Sequence, residues 1–106
     1  MALPGTLTVA DLYAIPESER GERYELIDGE LYVNPAPTPA HQIISGNLML
    51  NLELHVRANG VGRVIAAPGV RVDERTYVVP DIVFIARPRI GIIGSANVTA
   101  APDLAI

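Results

Sequence analysis

The sequence contains no cysteine, no lysine and no tryptophan, and it has a single phenylalanine. Without cysteine the chain can form neither a disulfide nor a thiolate metal site, a composition compatible with the reducing cytoplasm. The shortage of large aromatic side chains means that the hydrophobic core must be aliphatic. Because all eight basic residues are arginine, no lysine of this chain can take part in catalysis.

Two further absences concern membranes and export. No stretch approaches the roughly 18 uninterrupted apolar residues of a membrane span. Residues 1–6, M-A-L-P-G-T, do not combine a basic segment with an apolar run, as signal peptides do. We therefore expect a soluble, cytoplasmic protein with no membrane attachment. The net charge of −4 argues against a general nucleic-acid coat, although it is compatible with a local basic cleft.

The chain length and the glycine and proline content favour a small domain of short secondary-structure elements. With 106 residues the chain is one small domain or part of a larger one. Nine Gly and nine Pro indicate frequent turns rather than a helical bundle. Thr8 followed by Asp11 is typical of a helix N-terminus, and Pro16 should end that short helix.

Residues 23–34, R-Y-E-L-I-D-G-E-L-Y-V-N, predict a β-hairpin. The D-G pair at 28–29 is a two-residue turn signal between strand-forming residues. Folding the chain there places Leu26 opposite Leu31 on one face. Glu25 then lies on the other, mixed face.

A long helix is predicted over residues 39–59. Thr38 can cap it with Pro39 at its first position, and Gly60 should end it. Two apolar stripes along this segment indicate that the helix is mostly buried.

Three strands should follow the helix, at about 63–67, 70–72 and 81–86. The last, D-I-V-F-I-A, shows no apolar–polar alternation, which favours a central strand covered on both faces. Residues 91–101 are expected to be loop, and an unfinished strand occupies residues 103–106.

Three polar residues are candidates for chemistry, and each has a structural alternative. Asp81 begins the most buried predicted strand, where an unpaired carboxylate is costly, but Pro-Asp is also a common turn in which Asp binds nearby amides. His41 points inward from the first turn of the long helix, whose dipole favours anions. Its alternative is a core-edge histidine bound to a backbone carbonyl. Glu25 could be a solvated strand residue.

Four motifs that are weak singly form a specific set when taken in order. They are R-Y-E-L-I-D-G-E-L, P-T-P-A-H at the start of the long helix, V-P-D-I-V-F-I-A, and A-P-D-L. This set, which covers about residues 8–106, resembles the Uma-two family of restriction-endonuclease-like proteins in the PD-(D/E)XK nuclease superfamily. The resemblance implies an α/β fold with a restriction-endonuclease-like mixed sheet, an N-terminal β-hairpin, one long buried helix and an incomplete last core strand.

The resemblance also implies Mg²⁺-dependent hydrolysis of a DNA phosphodiester. By this comparison Asp81 is the first metal ligand, Glu25 is an auxiliary acid and second metal ligand, and His41 is a catalytic-site group that contacts the phosphate or supports a ligand. Asp103 matches the start of a strand and is not expected to be catalytic.

Two departures from the family pattern predict low activity. In the family the second Pro-Asp leads a strand P-D-L-x-x-E-V-L-S-P, whereas this sequence reads P-D-L-A-I up to residue 106. The second catalytic carboxylate and the lysine are therefore missing. We expect residues 1–106 to be the N-terminal, larger part of a single nuclease-like domain, truncated before that carboxylate, with weak Mg²⁺ binding. The alternative is a non-catalytic interaction module that forms a homo-oligomer through an exposed sheet edge.

Overall fold

The structure is a computed structural model that describes residues 5–106. The expectation that residues 1–6 contain no signal peptide falls mainly on residues 1–4, which lie outside the described part. The described elements, in chain order, are α1 (Val9–Tyr13), β1 (Arg23–Ile27), β2 (Glu30–Asn34), α2 (Pro39–Asn59), β3 (Gly62–Ala66), β4 (Val70–Asp73), β5 (Thr76–Val78), β6 (Ile82–Ala86), a 3₁₀ helix (Arg87–Ile92) and β7 (Leu104–Ala105).

The short helix α1 begins at a reciprocal cap, as its sequence predicts. The Thr8 hydroxyl accepts a hydrogen bond from the Asp11 N–H, and the Asp11 carboxylate accepts one from the Thr8 N–H. This pairing satisfies two backbone donors at the helix start. Val9 and Leu12 are buried against Leu26 of β1, so α1 packs against the first sheet.

The β1–β2 hairpin has the predicted register, with Leu26 opposite Leu31. Asp28 and Gly29 have φ angles of +49° and +80°. Positive φ at both central residues is what the favoured two-residue hairpin turn requires, and Asp-Gly tolerates it well. Local turn chemistry therefore determines this register.

The strands form two antiparallel sheets, ordered β2-β1-β5-β4 and β3-β6-β7. The predicted α/β class, with an N-terminal hairpin and a long helix, is confirmed. The sheet was expected to mix parallel and antiparallel pairing. Within residues 5–106 the parallel pairing is limited to one isolated bridge between Val70 and Val98. Strand β5 was not predicted, because three residues are too short for a recognisable alternation. It nevertheless joins β1 to β4.

Helix α2 has the predicted bounds. The Thr38 hydroxyl accepts a hydrogen bond from the His41 N–H, Pro39 occupies the first turn, and Gly60 ends the helix in the left-handed conformation at φ +61°. Each signal acts within one turn of the helix end, which explains why the sequence predicts both ends correctly.

The prediction that α2 is mostly buried is wrong. Val56 is its one buried residue within the described chain, whereas Ile43 is 66% and Leu54 is 61% exposed. Only the C-terminal half of the helix packs on the second sheet, where Val56 contacts Val64 and Ile82. An apolar pattern identifies the faces that favour burial, but it does not supply the partner that covers them. Among residues 5–106, no helix combines the length and apolar character needed to cross a membrane.

Strand β6 is covered on both faces, as predicted. Ile82 packs with Val56 and Val64 beneath α2. Val83 and Ile85, both fully buried, belong to a separate cluster on the other face. Successive side chains of a strand point to opposite faces, so one apolar run serves two cores.

The segment after β6 folds back onto the second sheet. A 3₁₀ helix precedes a loop whose Val98 is 1% exposed. The loop predicted over residues 91–101 therefore includes the end of that helix and one core residue. Strand β7 then pairs with β6 at the edge of the sheet. Beyond β7, the Ile106 carbonyl accepts a hydrogen bond of 2.7 Å from the Asp81 N–H.

Candidate active site

A pocket of about 350 Å³ lies where the β1–β2 hairpin meets the first turn of α2 and the residues preceding β6. Glu25, His41 and Asp81, the three residues singled out in the sequence, all line it. Arg23 and Asn34 also contribute to its wall. The fold thus brings together side chains from three elements that are distant along the chain.

Both backbone polar groups of Asp81 are hydrogen-bonded to neighbouring segments. Its N–H donates to the Ile106 carbonyl at 2.7 Å, and its carbonyl accepts from the Ala67 N–H at 2.8 Å. Its side chain is 33% exposed and directs Oδ1 toward the His41 ring, with Nε2 at 2.9 Å. Within residues 5–106, Oδ2 has no hydrogen-bond partner. The carboxylate therefore has one oxygen hydrogen-bonded to His41 and one without a partner among these residues.

His41 occupies the third position of α2, where its N–H is satisfied by Thr38. The side chain is 42% exposed rather than turned into the core, and its partner is the Asp81 carboxylate rather than a backbone carbonyl. The positive end of the α2 dipole lies at the same turn, which favours negative charge nearby. His41 thus links the helix start to the candidate acid.

Glu25 is half-buried and anchors neighbouring chain segments. Its Oε1 accepts a hydrogen bond from Asn34 Nδ2 at 2.6 Å, and its Oε2 accepts one from the Val79 N–H at 2.7 Å. The solvated-strand alternative does not describe this environment. Because Val79 lies two residues before Asp81, Glu25 holds the chain that carries the candidate metal ligand.

Arg23 and Asn34 are pocket residues that the sequence interpretation missed. They are directly opposite each other in the hairpin register, and Arg23 is two residues from Glu25 on the same face. Side chains at i and i+2 of a strand share a face. The alternation used to place Glu25 could therefore have identified both residues.

Asp103 lies outside this pocket and fastens the start of β7. Its Oδ2 accepts a hydrogen bond from the Ala86 N–H at 2.7 Å, and its Oδ1 is 3.1 Å from Arg89 NH1. Arg89 also donates to the Ala101 carbonyl. The Ala86 N–H, followed by Arg89, lowers the pKa of the Asp103 carboxyl below its usual value. The geometry gives Asp103 a structural function.

The pocket residues fit a weakly held Mg²⁺ only in part. Among residues 5–106, no group of three or more His, Asp or Glu side chains is arranged as a metal site. Both Glu25 oxygens already accept hydrogen bonds, which leaves Asp81 as the most available carboxylate. Mg²⁺ is commonly bound through one or two carboxylates, with waters and substrate phosphates completing its shell. A single available carboxylate is compatible with such a shared, weak site.

Comparison with solved structures shows the fold of the chain. It is similar to the crystal structure of a putative nuclease belonging to DUF820 from Anabaena variabilis, with a TM-score of 0.72 and 21% sequence identity. The match covers 93% of this chain and 56% of that one, so the chain spans little more than half the length of the solved protein. The nuclease-like fold is thereby confirmed.

Comparison with protein-family models identifies the family of the chain. A search of curated proteins found no match. The family model described as "Putative restriction endonuclease", Uma2, matches residues 9–106. This match spans the hairpin, α2, both sheets and β7, and it confirms the resemblance carried by the sequence motifs. The chain belongs to the Uma2 family.

Proposed function

We propose that this chain carries the first part of the active site of a Mg²⁺-dependent DNA endonuclease of the PD-(D/E)XK type. The reaction would be hydrolysis of a phosphodiester in DNA. The observation that carries the proposal is the convergence of Glu25, His41 and Asp81 on one pocket. Membership of a family described as restriction endonucleases supports the same reaction class.

In this proposal Asp81 is the metal ligand and its neighbours position it. His41 holds Oδ1 at 2.9 Å, and Glu25 fixes the preceding chain through the Val79 N–H. Glu25 becomes an auxiliary ligand if its hydrogen bonds rearrange. When bound, Mg²⁺ would activate a water molecule and offset negative charge on the phosphorus centre.

We further propose that residues 1–106 cleave DNA slowly or not at all. The sequence has no lysine to stabilise the developing charge. Removing one member of a catalytic unit typically lowers the rate by orders of magnitude.

Metal binding and cleavage test the proposal separately. Titration with Mg²⁺, followed by amide chemical shifts in NMR spectra, should move the signals of Asp81 and its pocket neighbours. Asp81→Asn should abolish these shifts, and Asp103→Asn, outside the pocket, should retain them. Identical titrations for wild type and Asp81→Asn would refute the metal site.

Supercoiled plasmid with Mg²⁺ provides the cleavage assay. We expect at most slow nicking, which is lost in Asp81→Asn and on addition of EDTA. Rapid Asp81-dependent cleavage would contradict the proposed low activity. Nicking that is equal in wild type and Asp81→Asn would contradict the endonuclease assignment for this pocket.

A second candidate function, a non-catalytic module that pairs with another copy, rests on the edge of the second sheet. Strand β7 is the terminal strand of that sheet, and Leu104 and Ile106 are 46% and 48% exposed. An exposed apolar edge strand can pair with another chain. Self-association and a cytoplasmic location both stay predictions.

A further inference from the structure

Arg23 has an unusual position among the arginines. Its side chain is 29% exposed and lines the candidate active-site pocket. The one polar interaction of its side chain within residues 5–106 is an ion pair in which NH1 lies 3.7 Å from Asp81 Oδ1. That separation is too long for a hydrogen bond, so the five N–H donors of the guanidinium have no hydrogen-bond partner in the described chain.

Arg89, the other half-buried arginine among residues 5–106, uses its donors. Arg89 donates to the Ala101 carbonyl and pairs with Asp103 at 3.1 Å. Arg57 is 75% exposed, yet it still donates to Glu53 at 2.8 Å. No buried side-chain nitrogen or oxygen among residues 5–106 lacks a hydrogen-bond partner, so the unpaired donors of Arg23 are accessible to solvent and to a ligand in the pocket. In Arg23 the unused donors belong to a guanidinium at a pocket wall.

We propose that Arg23 binds the phosphodiester of a nucleic-acid substrate and supplies the positive charge that a lysine cannot supply in this chain. This inference rests on the proposed function, because it places the phosphate beside Asp81. The planar guanidinium fork matches two phosphate oxygens and remains charged at any physiological pH. No other arginine lines this pocket within residues 5–106.

Electrostatics gives the reason for a cation at this position. Asp81 and Glu25 place two carboxylates in the pocket of a chain whose net charge is −4, and both repel a phosphate. Arg23 offsets this repulsion from the hairpin side, and the positive end of the α2 dipole contributes from the helix side. A phosphate between them would complete the hydrogen bonds of the guanidinium.

The competing role for Arg23 is a purely structural ion pair with Asp81. Partly exposed pairs at such separations contribute little to stability. A structural role predicts loss of stability on substitution, without a specific dependence on the charge of the ligand. The two roles can therefore be separated by changing the protein and the phosphate together.

The test uses the whole chain and a fluorescein-labelled DNA duplex, with Ca²⁺ replacing Mg²⁺ to limit cleavage. We expect Arg23→Ala to weaken binding about tenfold, the loss expected for a charged hydrogen bond, and Arg23→Lys to recover part of it. Arg20→Ala, an exposed arginine outside the pocket, is the matched control and should bind nearly as wild type. On a duplex with neutral methylphosphonate linkages, the difference between wild type and Arg23→Ala should disappear.

A second measurement separates failure of this inference from failure of the proposed function. Inorganic phosphate is titrated into the protein, and the Arg23 Nε–H signal is followed by NMR. A shift of this signal supports the phosphate site even if the DNA duplex does not bind, an outcome that would refute DNA as the substrate. Equal DNA affinity of wild type and Arg23→Ala would overturn the role of Arg23 and leave DNA binding intact. Absence of both DNA binding and the Arg23 shift would overturn both.

Discussion

The Nε2 atom of His41 lies 2.9 Å from Oδ1 of Asp81, which joins the first turn of α2 to the residue before β6. The contact connects the helix to the second sheet at the end where the helix is otherwise poorly packed. It also orients the carboxylate that we propose as a metal ligand.

We expect His41→Ala to destabilise the protein by about 1 kcal/mol, the net value of one hydrogen bond. The α2 backbone should persist, because Thr38 still caps it. Urea unfolding followed by circular dichroism measures the change. His55→Ala is the control: His55 is exposed on the same helix, and its nearest partner is Asn59. Equal losses in both variants would show that the His41–Asp81 contact adds nothing specific.

Removal of the Glu25 carboxylate should cost more than removal of His41. Glu25→Ala leaves the Val79 N–H and the Asn34 amide without their acceptor, and we expect a loss of about 3 kcal/mol for these charge-assisted bonds. Glu25→Gln keeps one acceptor and should lose about 1 kcal/mol. Urea midpoints distinguish the two variants. Glu30→Ala, at an exposed position of the same hairpin, should change stability by less than about 0.5 kcal/mol. A Glu25→Ala midpoint equal to that of Glu30→Ala would contradict the anchoring role.

Asp103 should make stability depend on pH in acid. Its folded-state pKa lies below the ordinary value of 3.8, because the Ala86 N–H and Arg89 favour the carboxylate. A lowered folded pKa means that this contribution is present above the unfolded pKa and disappears as pH falls through the folded pKa. The difference in melting temperature between wild type and Asp103→Asn should therefore be constant near neutrality and shrink below pH 3.8. A difference that is independent of pH down to full protonation would refute the assignment.

Self-association through β7 would raise the molecular mass above the 11.3 kDa of one chain. If the module function holds, light scattering should show a concentration-dependent mass, and Leu104→Lys should return it to 11.3 kDa, because a lysine on an edge strand opposes pairing. Val72→Lys changes an equally exposed residue on β4, the edge of the other sheet, and should leave the mass unchanged. A uniform monomer at all concentrations would exclude this function.

Structural features that depend on neighbouring residues were predicted from the sequence, whereas features that depend on distant segments were not. The hairpin register and both ends of α2 were predicted correctly, since Asp28-Gly29, Thr38 and Gly60 act on residues within one turn. Strand β5 and the exposure of α2 were not, because both depend on which distant segments pack alongside. For Asn34 the face of the strand was predictable, but its hydrogen bond to Glu25 depends on side-chain geometry that strand alternation does not specify.

The same distinction between local and distant interactions applies to the candidate site. The sequence by itself determined the family, the local elements and the three residues worth examining, because motif order and turn chemistry are properties of neighbouring residues. Only the tertiary structure decided that Glu25, His41 and Asp81 share a pocket, that Glu25 is already bound by Asn34 and Val79, and that Arg23 is the cation beside Asp81. These relationships depend on how the hairpin, α2 and the second sheet close on one another. Such closure is set by the packing of the whole chain, which local sequence patterns do not encode.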